Sequence, residues 1–259
     1  SDMMKRDLIS HGVNHNNIMI TGSLQFDAHK DEKYLWDKEK FLSRVGLDNC
    51  NYLITYTTST HRSFPLEHKL IEDIIEGLLK EDFNFNFLIR THPNDEEPDR
   101  FKLIEDKYGN LVVTKPWEYD TNNWWNFNPS SDDIALLTNT LRYSDTIINV
   151  ASTITLDSIV FDTPVVNIAY YPEKSQVFAP LIENSHLSIH YSEVTKRKGV
   201  IISRSNAETI SAISHYIKSP EYLRQERKDT LSYVAGKVDG KSYSRLIKFL
   251  RKIYDTHNQ

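Results

Sequence analysis

The sequence is poor in glycine. Only eight occur in 259 residues, and none forms a G-x-G-x-x-G or G-x-x-x-x-G-K-[ST] loop. Such loops bring backbone N–H groups up against a pyrophosphate, so the dinucleotide-binding and P-loop modes are excluded. No two aspartates stand two positions apart, which removes a D-x-D metal–diphosphate motif, and no G-x-S-x-G elbow is present. A single cysteine, Cys50, excludes an intrachain disulfide framework and a cysteine-based zinc site. That usage fits a reducing cytoplasm. No apolar stretch approaches the ~18 residues needed to span a bilayer. The first residues, Ser1-Asp2-Met3-Met4-Lys5-Arg6, are polar and lack the apolar core of a signal peptide; Ser1 to Met3 read as a cloning remnant. Lysine and arginine form no dense run and the net charge is −5, so a nucleic-acid footprint is missing.

Hydrophobic residues make up 39% and charged residues 26%, enough apolar material for a packed core. Short apolar runs alternate with helical patterns. Tyr52–Tyr56, Phe85–Arg90, Leu111–Thr114, Thr146–Val150, Pro164–Ala169 and Gly199–Ser203 read as strands. Leu66, Leu70, Ile71, Ile74, Ile75, Leu78 and Leu79 share one helical face. Further helices are expected at Pro98–Lys107, Asp132–Tyr143, Thr153–Phe161, after the capping box Ser205-Asn206-Ala207-Glu208, from Ser219-Pro220, and at Tyr243–Ile253. This alternation predicts an α/β fold, a Rossmann-like doubly wound parallel sheet with C-terminal helices. We divide the chain into residues 1–17 (a linker or interdomain segment), 18–240 (the Rossmann-like domain) and 241–259 (a C-terminal helix).

Ligands of open parallel sheets bind beyond the carboxyl ends of the strands, so the segments leaving that edge are the candidates. Thr57-Thr58-Ser59-Thr60-His61-Arg62 offers hydroxyls, backbone donors and a guanidinium to phosphate oxygens; the same residues also make an ordinary Ser/Thr-rich turn. Arg90 ends a buried strand, where it needs an anion or a carboxylate such as Asp95 or Glu96, and Pro93 holds His92 extended. Ser152 and Thr153 open a helix whose N–H groups suit a phosphate, with Asp157 one turn on; a plain N-cap explains them equally well. The Asn-rich loop from Trp117 to Ser131 carries Trp117, Trp124 and Trp125, which can stack on a nucleobase or cover a core edge. His11/His15 and His186/His190 are each spaced four apart, but no helix pattern or nearby H-E-x-x-H carboxylate supports a metal site. No metal or other cofactor is expected.

Five segments in order carry a resemblance. They are Ile20-Thr21-Gly22-Ser23-Leu24-Gln25-Phe26-Asp27 (a G-x-x-x-x-D turn), Tyr56–Arg62, Arg90-Thr91-His92-Pro93, Tyr143–Ile148, and Ser152–Asp157 continuing through Phe161-Asp162-Thr163-Pro164-Val165-Val166. Together they resemble the C-terminal, donor-binding lobe of GT-B transferases that build bacterial surface polysaccharides. The likeness is to the CDP-glycerol glycerophosphotransferase group and, more distantly, to non-hydrolysing UDP-N-acetylglucosamine 2-epimerases. It implies that Ser152 and Thr153 bind donor phosphates, with Thr57, Thr58, Ser59 and Arg62 beside them. Asp157 would bind the ribose, and Arg90 and His92 would line the diphosphate as the catalytic groups. The implied substrate is a nucleotide-activated sugar or glycerol, and the activity is glycosyl or glycerophosphoryl transfer without a metal. The alternatives are an epimerase acting on the nucleotide sugar, or a non-catalytic nucleotide- or glycan-binding module. Relatives carry a whole lobe before the G-x-x-x-x-D turn, where only about twenty residues stand here. The glycan or lipid-linked acceptor is therefore expected on a lobe missing from this chain, leaving the isolated chain inactive. The cytoplasmic face of the membrane is the expected place of action, with any peripheral attachment carried by other segments.

Overall fold

The computed structural model describes residues 1–48, 51–116, 129–188 and 191–257, with side chains to residue 255. Six strands, β1 (Tyr52–Thr57), β2 (Phe85–Arg90), β3 (Leu111–Thr114), β4 (Thr146–Asn149), β5 (Val165–Ile168) and β6 (Ile201–Ser203), form one sheet in the order β3-β2-β1-β4-β5-β6. Every pairing is parallel. The helices are α1 (Asp2–Ser10), α2 (Lys38–Val45), α3 (Glu67–Leu78), α4 (Lys102–Glu105), α5 (Ser131–Tyr143), α6 (Ile154–Ile159), α7 (Phe178–Glu183), α8 (Ser192–Lys196), α9 (Asn206–Lys218), α10 (Arg224–Ala235) and α11 (Ser242–His257). This is the doubly wound α/β arrangement expected. None of its described helices is long and apolar enough to cross a membrane.

Side-chain alternation along the strands sorts the core into two faces. Ile54, Tyr56, Phe87, Ile89, Ile148 and Val166 face Leu70, Ile71, Ile74 and Ile75 of α3 and Ala212, Ile213 and Tyr216 of α9. On the other face Leu53 and Leu88 meet Phe41, Leu42 and Val45 of α2 and Ala135 and Leu136 of α5. Ile147 and Val165 pack there against Leu141 and Ile159. Both faces are covered, which is why the strands read as nearly continuous apolar runs.

Several expected helices shift. Thr153–Phe161 contracts to α6, because Asp162 turns to φ +61 just before Pro164. The Pro98 helix is a 3-10 turn (Pro98–Phe101) that becomes α4 and stops at Glu105 rather than Lys107. Ser219-Pro220 opens only a turn, since Leu223 sits at φ +60 and α10 begins after it. Ser205 does cap α9, accepting from the Glu208 N–H, but the Glu208 carboxylate returns to the Arg204 N–H instead of that of Ser205. Residues 1–17 contain α1, which packs on α10.

The G-x-x-x-x-D turn proves to be a clamp. Gly22 lies at φ +86, and a Cβ there would stand 2.7 Å from the Lys237 carbonyl. Only glycine meets both conditions without strain. Asp27 then accepts from the N–H groups of Ser242 (3.1 Å) and Tyr243 (3.0 Å), closing the start of α11.

Candidate functional site

The strand order reverses at β1, flanked by β2 and β4, so the crevice beyond their carboxyl ends is the place this topology offers a ligand. Thr57 is in register with Arg90, and Arg90 with Thr114. Tyr56 pairs with Ile148, which puts Asn149 beside Thr57 on the other flank. With strands ~4.8 Å apart, Arg90 and Asn149 bracket Thr57 across roughly 10 Å. All three lie on the α5 side of the sheet, since they alternate with core residues of the opposite face.

Arg90 is the odd residue of this edge. It is only 4% exposed, and its Nη1 has no hydrogen-bond partner among the described residues. Burial pushes its pKa down to about 10; the one opposing influence is the Asp133 carboxylate. Asp133 is itself engaged in the capping box at the start of α5, where it accepts from the Ser130 N–H at 2.8 Å. Beside Arg90, Thr57 is 7% exposed and its Oγ1 is likewise unpartnered. Two neighbouring buried donors thus lack acceptors, each at a cost on the order of 1–3 kcal/mol. An anion's oxygens would satisfy both.

The loop after β1 uses its own backbone donors. The Thr58 N–H bonds the Arg90 carbonyl, the Ser59 N–H reaches both oxygens of Glu67 (2.9 Å each), and the His61 N–H reaches Asp95. Arg100 bridges the two acids, 2.6 Å from Asp95 Oδ1 and 3.4 Å from Glu67 Oε2. Burial dominates at Glu67, raising its pKa to about 8 against the pull of the Ser59 N–H and Arg100. The amides of Thr58, Ser59 and His61 are therefore taken by the protein itself.

Thr58 and His92 are brought together: the His92 N–H donates to Thr58 Oγ1 at 2.9 Å. His92 Nδ1 accepts from the Asn94 N–H (3.0 Å), and burial lowers the pKa of the ring. At neutral pH the imidazole is thus uncharged with its proton on Nε2, a hydrogen-bond donor rather than a base.

Between β4 and α6 the chain turns sharply, with Ala151 at φ +28. Asn149, fully buried, accepts from the Ser152 N–H (3.2 Å) and from Asn167 Nδ2 (2.9 Å). Tyr191 completes this network through Thr155 and Asn167. Ser152 is partly buried and Thr153 exposed, and no side chain caps the helix. The Thr155 N–H closes onto the Ser152 carbonyl, leaving the amides of Thr153 and Ile154 at the mouth without intrahelical acceptors. A six-residue helix has little macrodipole, so most positive charge at this edge comes from Arg90. Asp157 Oδ1 is 2.9 Å from His29 Nε2, and His29 Nδ1 is 3.0 Å from Thr138 Oγ1. One carboxylate oxygen is therefore already engaged by the segment that leads to Asp27.

The fold gathers Thr57, Thr58, Arg90, His92 and the Ser152–Thr153 turn on one sheet edge. Arg62 stands apart, 85% exposed and 3.4 Å from Glu96. Trp117, Trp124 and Trp125 lie outside the described residues, as do Cys50 and His190. Glu67, Arg100 and His29 escaped the sequence pattern, and Asp95, weighed there as a partner for Arg90, pairs with Arg100 instead. Among the described residues, no group of three or more His, Cys, Asp or Glu is placed to hold a metal ion.

No protein-family model matches the chain, and no curated protein matches it. Solved structures do. A UDP-GlcNAc 2-epimerase from Neisseria meningitidis, bound to UDP-GlcNAc, aligns at 19% identity and TM-score 0.60, covering 96% of this chain and 59% of that one. An S. aureus MnaA–UDP structure aligns at 14% and 0.62, covering 97% and 58%. The wall teichoic acid polymerase TagF aligns at 12% and 0.56, covering 95% and 55%. At these identities the likeness shows the fold alone, a Rossmann-like sheet that matches one in each of these GT-B neighbours. The chain spans under two thirds of the length of each of these three structures.

Proposed function

We propose that this chain is the donor-binding half of an enzyme acting on a nucleotide-activated sugar or glycerol. The donor diphosphate would lie across the carboxyl ends of β2, β1 and β4. The observation that carries this reading is the pair of buried, unpartnered donors, Arg90 Nη1 and Thr57 Oγ1, side by side at the switch point. Arg90 and the His92 Nε2–H would stabilise charge on the leaving diphosphate. The hydroxyls of Thr58, Ser59 and Ser152 and the amides of Thr153 and Ile154 would hold its outer oxygens. The free oxygen of Asp157 would accept from a ribose hydroxyl. Transfer of a sugar or glycerophosphate to a cell-envelope polysaccharide is the reaction we favour, with the acceptor bound elsewhere.

Calorimetric titration of the chain with UDP-GlcNAc, CDP-glycerol and GDP-sugars tests the reading. Binding is expected, unchanged by EDTA. Arg90→Met should weaken it roughly 10- to 100-fold, as for loss of a charge-assisted hydrogen bond. Failure to bind any of these nucleotides, or equal affinity in Arg90→Met, sinks the reading.

An epimerase acting on the nucleotide sugar is the second reading, favoured by the epimerases among the structural neighbours. Incubating a UDP-sugar alone and analysing the sugar separates the two: epimerisation needs no acceptor. A binding module without turnover is the outcome if neither reaction occurs when the partner lobe is supplied.

A further inference from the structure

A buried imidazole stands behind Asp157, the acid assigned above to the ribose. His29 lies in the 3-10 segment Leu24–Lys30 and is only 3% exposed. Its ring stacks on Phe26 with centroids 6.3 Å apart and meets Phe161 edge-on at 5.6 Å. Phe26 forms an apolar cluster with Val160 and Ala235, and Leu156 and Phe161 pack against it. A hydrocarbon side chain would fill such a position at lower cost, because a polar ring there must find partners for its nitrogens. His29 finds both at a distance along the chain: Nδ1 is 3.0 Å from Thr138 Oγ1 and Nε2 is 2.9 Å from Asp157 Oδ1. A carboxylate oxygen accepts, so the proton of the second bond sits on Nε2, and the Thr138 hydroxyl can donate to Nδ1. Lys30 holds the far end of the same helix, donating to the Val160 carbonyl at 3.2 Å.

The Asp157 side chain is 16% exposed, and its Oδ2 makes no hydrogen bond among the described residues. Helical side chains lean towards the N-terminus of their helix, so the carboxylate leans towards the Ser152–Thr153 turn. From this we infer that His29 is a positioning residue for sugar recognition. By occupying Oδ1 it fixes the carboxylate and leaves Oδ2 to accept from one ribose hydroxyl, so that the site prefers ribonucleotides to deoxyribonucleotides. The inference rests on the nucleotide reading and adds to it the origin of ribose selectivity. A carboxylate free to turn presents either oxygen, or meets a hydroxyl through water. One held by a buried ring presents a single acceptor in one direction, and a site built around it rejects an analogue that lacks the hydroxyl. His29 itself is enclosed by its neighbours and acts through Asp157.

Calorimetric titration of the whole chain with UDP, CDP and GDP, each against its 2′-deoxy and 3′-deoxy analogues, is the test. The parent should bind at least one ribonucleotide about tenfold more tightly than one of its deoxy analogues, as for a hydrogen bond to a charged group. Two variants separate positioning from packing. The amide of His29→Asn overlays Nδ1 and reaches only Thr138, whereas that of His29→Gln overlays Nε2 and reaches Asp157. His29→Asn should therefore lose the preference, binding the ribonucleotide about tenfold more weakly and the deoxy analogue as before. His29→Gln should keep most of it. Combined with Asp157→Asn, His29→Asn should weaken binding no further than Asp157→Asn alone. Thermal melting checks that the variants fold, and His29→Leu replaces His29→Asn if that one does not. No binding of any nucleotide by the parent overturns the nucleotide reading and this inference together. Binding without a ribose preference, a preference that survives in His29→Asn, or an equal loss for all nucleotides in both variants overturns this inference alone.

Discussion

Two buried arginines, Arg227 on α10 and Arg90 at the end of β2, are treated in opposite ways. Arg227 is fully buried, yet each of its nitrogens has an acceptor: Nε bonds Asp162 Oδ1 at 2.9 Å, Nη1 the Tyr222 carbonyl at 2.6 Å, and Nη2 the Pro220 carbonyl at 2.9 Å. Arg90 is almost as buried and keeps an unpartnered Nη1, with its pKa pushed down by desolvation. A buried charge whose hydrogen bonds are complete ties chain segments together. One left incomplete is a standing cost, and such costs persist where a ligand repays them. The contrast locates the site more sharply than composition does.

The largest effect should come from breaking the complete set. Arg227→Met removes the donors of two carbonyls and of Asp162 Oδ1, while Asp162 Oδ2 keeps Arg224, and should cost about 3–5 kcal/mol in urea unfolding, with nucleotide affinity of the folded fraction unchanged. A loss below about 1 kcal/mol would erase the contrast.

The Glu67–Arg100–Asp95 cluster is an intermediate case and gives a pH test. The folded pKa of Glu67, about 8, lies above the ordinary 4.5, so the native state holds the proton more tightly than the unfolded chain. Its contribution is fully present below about pH 4.5 and is lost as pH rises towards 8. Melting temperatures across this window should fall less steeply in Glu67→Gln than in the parent; parallel curves would mean that Glu67 is ionised throughout.

Arg90→Met should leave stability unchanged or raise it by up to ~1–2 kcal/mol, because it removes an uncompensated buried charge. Destabilisation comparable to Arg227→Met would show Arg90 to be structural. Thr57→Val should shift stability by only a few tenths of a kcal/mol, since the lost hydroxyl had no partner. It should still weaken nucleotide binding several-fold by calorimetry.

Much of the fold was legible. Apolar runs marked all six strands within a residue or two, because strands buried on both faces leave little room for polar side chains. What pattern missed were short elements such as α7 and α8, the two helices α1 and α2 before the first strand, and boundaries set by a single dihedral, such as Leu223 before α10. At the site, Arg90 could be singled out because a guanidinium ending an apolar run is anomalous by itself. The capture of the Ser59 and His61 amides by Glu67 and Asp95 could not be read, since acids 8 and 34 residues away carry no local mark. The Gly22–Asp27 turn was visible as a motif, but its work on α11 was not.

That clamp bears on the order in which the molecule assembles. Asp27 caps a helix 215 residues further along the chain. During synthesis, at roughly 5–20 residues per second, the acid waits on the order of ten seconds or more for its partner to be made. The sheet, with its nearer pairings, can form in that interval. Closure of α11 onto the Gly22 turn then follows, and until it occurs the Asp27 carboxylate lacks its two amide donors.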